Sequence, residues 1–329
     1  MIASIFTGTL ASGDNPLTHV VAHPIYEWQY SLFGHVFHFT NHQFTMIVVG
    51  VVMLIAFLYV GAKARTNTIP SGLHNFFEAI LSFLRTEVFR PALKENTDRF
   101  TPFLWTVFFF ILFCNLLGML PLGQIANIVT GGTAPHFWGT ATGNWVVTGT
   151  LAIMTFLTIH IGGVSQQVRM AMDPSLDPHH HHGAHGHGDQ HVHHGPEGRN
   201  FIVAVPVGGL RYLWNFAPHP ETGIKVMDLT LWFGLLILEM LGALVKPFAL
   251  CVRLFANMIA GHLILASLLI MIPFTVHGVT LYTKIGVSIP IAIGSAALSI
   301  LEVFVCFLQA YIFTFLTTLF IGSAVAPEH

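Results

Sequence analysis

The stretch Leu229–Met271, LTLWFGLLILEMLGALVKPFALCVRLFANMIAGHLILASLLIM, decides the fold. It carries Glu239, Lys246 and Arg253 in an otherwise uncharged run. A helix needs about 20 apolar residues to cross the hydrocarbon core of a bilayer. At 1.5 Å per residue this run is roughly 60 Å long, so it must tilt strongly, bend or project beyond the membrane. At 100° per residue, positions seven apart drift by only about 20°, and Glu239, Lys246 and Arg253 therefore form one polar stripe. His262 lies on the opposite face, roughly 13 Å further along the axis. An arginine near mid-membrane costs at least about 2.5–3.5 kcal/mol on insertion scales. It is therefore a functional candidate unless it pairs with a carboxylate or snorkels, and its depth in the span makes snorkelling awkward. Ala249, Ala256, Ala260 and Gly261 around it admit a close helix neighbour, from this chain or another.

Composition sets the solvent for the rest of the chain. Apolar residues make up 53% of 329 positions and charged residues 9%, against roughly 25% charged in a soluble domain. A net charge of −2 argues against a nucleic-acid partner. Cys114, Cys251 and Cys306 fall in apolar runs and read as small buried hydrophobes. The start, Met-Ile-Ala-Ser-Ile-Phe, has no basic n-region and reads as part of the mature chain. Further spans are expected over 45–62, 102–122, 145–163 and 287–325, the last as long as the decisive stretch. The fold expected is an all-α membrane protein with five transmembrane helices, the last two long, tilted and membrane-embedded. An amphipathic surface helix over 72–95 is added by Leu73, Phe76, Phe77, Ile80, Leu81, Leu84 and Val88 recurring at helical spacing, opposite Glu78, Arg85, Glu87 and Arg90.

Lys and Arg gather in cytoplasmic loops. Lys63 and Arg65, then Arg85, Arg90, Lys94 and Arg99, then Arg169, Arg199, Arg211 and Lys225 all fall in alternate connections, with Lys284 the exception. That places the N-terminus outside and the C-terminus inside. The chain divides into an outer segment 1–44, helices one to three with the surface helix over 45–166, a cytoplasmic loop 167–226, and the long hairpin 227–325. Within the loop, Val203, Val205, Val207, Tyr212, Trp214 and Phe216 fit either a hairpin or a surface segment.

The fifth span carries Glu302 and Gln309, seven apart and nearly on one face. A carboxylate set among Ile300, Leu301, Val303 and Phe304 needs a partner or water, and His262 on the antiparallel span is the natural candidate. Polar groups then stand on both sides of a fixed positive charge, as two offset half-channels require.

These residues resemble subunit a of F-type ATP synthases. The resemblance rests on Leu238-Glu239, Lys246-Pro247, Arg253-Leu254-Phe255-Ala256-Asn257-Met258-Ile259-Ala260-Gly261-His262 and Leu308-Gln309-Ala310-Tyr311-Ile312-Phe313. Looser matches are Asn15-Pro16-Leu17 with His19, and Asn115-Leu116-Leu117-Gly118 with Leu120-Pro121. It implies that Arg253 faces the carboxylate of each passing c-subunit and separates two half-channels. Asn257, His262, Glu302 and Gln309 would belong to the outer path and Glu239 to the cytoplasmic side. It also implies the c-subunit ring, the b-subunit stalk and the remaining F1Fo complex as partners, protons as cargo, no cofactor, and a multi-pass place in a bacterial inner membrane. The chain itself would not be catalytic. Many bacterial relatives carry a carboxylate at the position of His262 and a histidine at that of Glu302; the exchange keeps a histidine–carboxylate pair.

His179, His180, His181, His182, His185, His187, His191, His193 and His194 lie in a glycine-interleaved tract, which is expected as an insertion into the family's cytoplasmic connection. Such a tract binds Zn²⁺, Ni²⁺ or Cu²⁺ incidentally and raises a rival reading, a metal-ion transporter. That reading requires His and carboxylate ligands at helical spacing within the spans. His160 and His262, the intramembrane histidines, have no carboxylate four residues away, and Arg253 would repel a divalent cation.

Overall fold

The computed structural model describes residues 24–32, 35–66, 72–120, 138–172, 201–216, 225–270 and 281–325. Five helices in it are long and apolar enough to cross a membrane. Ahead of them, β1 (Pro24–Leu32) and β2 (His35–Thr40) pair antiparallel as a two-stranded sheet. The alternation of Tyr26, Trp28, Tyr30 and Leu32 with Glu27, Gln29 and Ser31 is the period-2 pattern of a strand, so the segment 1–44 contains a hairpin that its low charge alone did not announce.

The first crossing helix is α1 (Asn41–Thr66). Leu54, Ile55 and Leu58 stand out from it unburied, a surface suited to lipid and costly in water. The surface segment follows, and it is not the single helix expected over 72–95. It comprises α2 (Leu73–Phe83), a π-helical turn at Leu84–Phe89, the short α3 (Arg90–Leu93) and a 3-10 turn at Lys94–Asn96. The looser i→i+5 winding of the π turn lets Leu84, Val88 and Phe89 all reach the core, which a continuous α-helix would not do. Trp105 Nε1 donates to the Leu81 carbonyl at 3.3 Å and pins α2 to the next crossing helix. Leu73, Phe76 and Phe83 remain exposed, so α2 keeps an apolar strip of its own.

Next come α4 (Thr97–Met119), α5 (Trp145–Met172), α6 (Phe201–Phe216), α7 (Lys225–Ile270) and α8 (Leu281–Val325). At 46 and 45 residues, α7 and α8 are each close to 70 Å long. The 201–216 stretch, whose valines fitted either a hairpin or a surface segment, is one helix carrying Pro206. Glycines let α6 lie close on α5: a Cβ at Gly208 would sit 2.8 Å from the Val168 backbone. The histidine tract 179–194 lies outside the described residues.

One apolar core holds these elements together. Phe89 and Leu93 from the surface segment meet Leu104, Phe109 and Ile111 of α4, Ile159 of α5, Leu250 and Leu254 of α7, and Phe313 and Ile321 of α8. The bundle thus has α4 and α5 at its centre, α1 on one flank, and α7 and α8 leaning on the other.

One close backbone approach beside this core is testable. A Cβ at Gly322 on α8 would lie 2.5 Å from the Ala92 carbonyl oxygen, whereas one at Gly149 on α5 meets nothing within 4 Å. Gly322→Ala is expected to cost about 1–3 kcal/mol, the usual penalty for overpacking, seen as a lower thermal midpoint of the detergent-solubilised protein. Gly149→Ala should leave the midpoint unchanged.

Candidate functional site

The two faces of α7 differ sharply. Leu250, Cys251, Leu254 and Met258 are buried against the bundle. The Cys251 thiol donates to Thr148 Oγ1 on α5 at 3.4 Å, and the Trp145 ring packs edge-on against Phe248 and Phe255. Arg253, Ala249 and Ala256 face outward, with Phe248 at 57% exposure beside them. Among the described residues nothing pairs with or hydrogen-bonds the Arg253 guanidinium. A guanidinium on an apolar face has five donors to satisfy, and this chain's described part offers none of the acceptors.

The rest of the expected stripe is visible. Lys246 Nζ lies 3.7 Å from Glu239 Oε1, one heptad back on the same helix, and 5.2 Å above the Phe320 ring of α8. Lys246 thus contacts both helices of the pair. On α8, Glu302 and Gln309 are both buried on the bundle side. Glu302 has neither carboxylate oxygen bonded among the described residues, and Gln309 Nε2 is unbonded as well. Gly261 of α7 makes room for this carboxylate: a Cβ there would sit 2.5 Å from Glu302 Oε1. The α7–α8 crossing therefore occurs where the smallest residue of one helix meets the acid of the other.

The side chain of His262 lies outside the described residues, so the expected His262–Glu302 pair is not drawn here. Asn257 is half-buried, one turn beyond Arg253. Two features escaped the sequence reading. Ser288 and Ser295 continue the Glu302–Gln309 line at seven-residue steps toward the start of α8, and Ser288 is buried with its hydroxyl unbonded among the described residues. Extending the heptad backwards would have found them. A second set of polar contacts ties α1 and α4 to the 3-10 turn (Ala141–Gly143) ahead of α5: His42 Nδ1 meets the Thr140 carbonyl at 3.0 Å, and Thr142 Oγ1 donates to Asn115 Oδ1 at 2.8 Å. Only tertiary contact assembles that one.

Among the described residues no group of three or more His, Cys, Asp or Glu side chains is placed to hold a metal ion.

Fold and site together define a polytopic membrane protein, helical in all five of its candidate spans, in which a charge-bearing helix pair presents one open face. A family model described as the ATP synthase A chain matches residues 43–173 and 201–322. The match breaks over 174–200, the interval that holds the histidine tract. The chain is 33% identical to an ATP synthase subunit a of Chloroherpeton thalassium over 88% of its own length and 67% of that protein's. It is 34% identical to the subunit a of Chlorobium phaeobacteroides, over 88% and 66%, and 34% identical to that of an Anaeromyxobacter species, over 87% and 54%. The chain thus spans from about half to about two thirds of the length of these relatives. It belongs to the ATP synthase subunit a family.

The Gly261 contact makes a prediction about the acid. Because the clashing atoms are the mobile end of Glu302, Gly261→Val should displace the carboxylate more than it damages the fold. The expected result is an assembled protein, at near wild-type yield in the membrane, whose proton flux falls at least about tenfold. Flux at the wild-type level would show that the position of Glu302 is immaterial.

Proposed function

We propose that this chain is the proton-channel stator subunit of an F-type ATP synthase, and that it works by holding Arg253 against the c-subunit ring between two offset half-channels. Membership of the family supports the membrane-subunit role. The observation that supports the finer reading is Arg253, exposed and without a partner among the described residues, behind which Leu250, Cys251, Leu254 and Met258 are packed into the bundle.

The mechanism follows from charge. A carboxylate arriving opposite Arg253 is stabilised in its ionised form by the guanidinium, as any acid beside a fixed cation is, and so gives up its proton there. The same fixed charge repels a free proton and closes the direct route between the half-channels. Glu302, Gln309, Asn257 and His262 line the route on one side of Arg253, and the Glu239–Lys246 pair lines the route on the other. Protons then cross only by riding the ring through nearly a full turn. Membrane potential supplies about 2.3 kcal/mol per charge per 100 mV, and the chain itself makes and breaks no covalent bond.

The basic residues give the direction. Arg99, which donates to Ser165 at 2.6 Å, and Arg85, which pairs with Asp98, sit with Lys63, Arg65 and Arg169 at the helix ends expected to face the cytoplasm. In this orientation the Glu239 route opens inward, the N-terminus lies outside, and the membrane is the bacterial inner membrane. The ring, the peripheral stalk and the rest of the F1Fo complex are the partners.

The test is proton flux in vesicles holding the assembled complex, comparing wild type with Arg253→Ala. ATP-driven pumping should be lost while passive leak is retained or increased. Unchanged pumping would overturn the assignment.

A further inference from the structure

A titratable cluster stands beside the Glu239–Lys246 pair that the mechanism above does not use. His160, half-buried on α5, has its Nδ1 2.9 Å from the Tyr212 hydroxyl on α6. Tyr212 is 8% exposed, and its ring seats against Gly163, where a Cβ would come 2.5 Å from the ring edge. The Phe156 ring packs on the imidazole with centroids 4.2 Å apart. One turn beyond His160, Gly162 and Gly163 lie against Val325 and Ala324 of α8, and the Lys246 ammonium of α7 lies over Phe320, one turn back on that same end of α8. Four groups able to carry or steer a proton, Glu239, Lys246, His160 and Tyr212, thus come from three helices to one side of Arg253.

Resting on the stator reading, we propose that His160 and Tyr212 form the outlet of the half-channel that Glu239 lines, with Lys246 as the charge standing between them. Imidazole suits this task because it accepts a proton on one ring nitrogen while releasing another from the second. Here Nε2 takes up the proton, Nδ1 gives its own to the Tyr212 oxygen, and the tyrosine passes its original hydroxyl proton to water. One proton moves and no net charge is left behind; the imidazole ends as the Nε2–H tautomer, and proton exchange with water, one lost from Nε2 and one gained at Nδ1, resets it. Arg99 of α4 is engaged with Ser165 further along α5. From α8 the Phe320 ring approaches, under the Lys246 ammonium. The side chain of Arg211, next to Tyr212 on α6, lies outside the described residues.

The rival is a docking bond that merely fixes α6 on α5. His160→Gln separates the two, because glutamine can still hydrogen-bond Tyr212 yet does not titrate. The measurement is ATP-driven proton pumping by the complete complex in vesicles, at external pH from about 6 to 8.5, the range where histidine changes charge. His160→Gln, His160→Phe and Tyr212→Phe are compared with wild type, with complex yield measured alongside. We expect His160→Gln to assemble normally, to lose at least about tenfold in rate, within the usual effect of removing a positioned proton carrier, and to flatten the pH profile. Tyr212→Phe should lose less and shift the profile. Wild-type rate and profile in His160→Gln, or its failure to assemble, would reduce the contact to docking and overturn the proposal. Arg253→Ala, run in parallel, keeps the two ideas apart: pumping that survives it sinks the stator reading, whereas its loss beside a normal His160→Gln sinks the outlet alone.

Discussion

A guanidinium cannot shed its charge in a protein, and placing one in hydrocarbon costs several kcal/mol unless something nearby answers it. Arg253 is that group here, and among the described residues nothing from within the chain answers it. The face of α7 behind it is filled by Leu250, Cys251, Leu254 and Met258, so the side chain cannot fold back to a partner in the bundle. Glu239, the acid on its own stripe, is taken by Lys246. Glu302 is turned to the bundle side of α8. On the proposed reading, a charge held outward in this way is answered by a partner that arrives from outside and leaves again, as a rotary device requires.

The packing explains how such a helix can be long and oblique without collapsing. Leu250 and Leu254 anchor the middle of α7 in the common core, and Trp145 and Thr148 hold it at the start of α5. The halves of α7 and α8 that lie beyond this anchor show mostly exposed apolar surface: Ile293, Ile300 and Phe304 on α8, Leu238, Leu241 and Leu244 on α7. In a membrane, lipid and partner helices cover this surface equally well by hydrophobicity alone. The small residues Ala249, Ala256 and Ala260 flanking the arginine are exposed and leave room for a helix to approach closely.

Much of this was legible in the residues. Helix length and polarity are one-dimensional properties, so the five spans could be read directly, as could the heptad stripe of Glu239, Lys246 and Arg253. The β1–β2 hairpin was present as alternation in 24–32 but was masked by its position ahead of a strong helical signal. The π turn at Leu84–Phe89 was not legible, because its cause is tertiary: one extra residue per turn is tolerated only where a core receives Phe89. For the same reason the sequence could name His160 and Tyr212 but not their meeting, since 52 residues separate them and nothing in either segment specifies the other. Gly261 was read as a small residue admitting a neighbour, and the structure adds what the neighbour is, the Glu302 carboxylate.

The central claim is that the Arg253 face of α7 is the ring's track and not a lipid-facing surface. Ala256→Cys, made with Cys114, Cys251 and Cys306 replaced by alanine, tests it by oxidative cross-linking against a cysteine on the carboxylate-bearing helix of the c-subunit. The account predicts an a–c adduct that halts ATP-driven pumping and releases it on reduction. Absence of any adduct, with Ala256→Cys behaving like a cysteine placed at exposed Leu58 on α1, would contradict it.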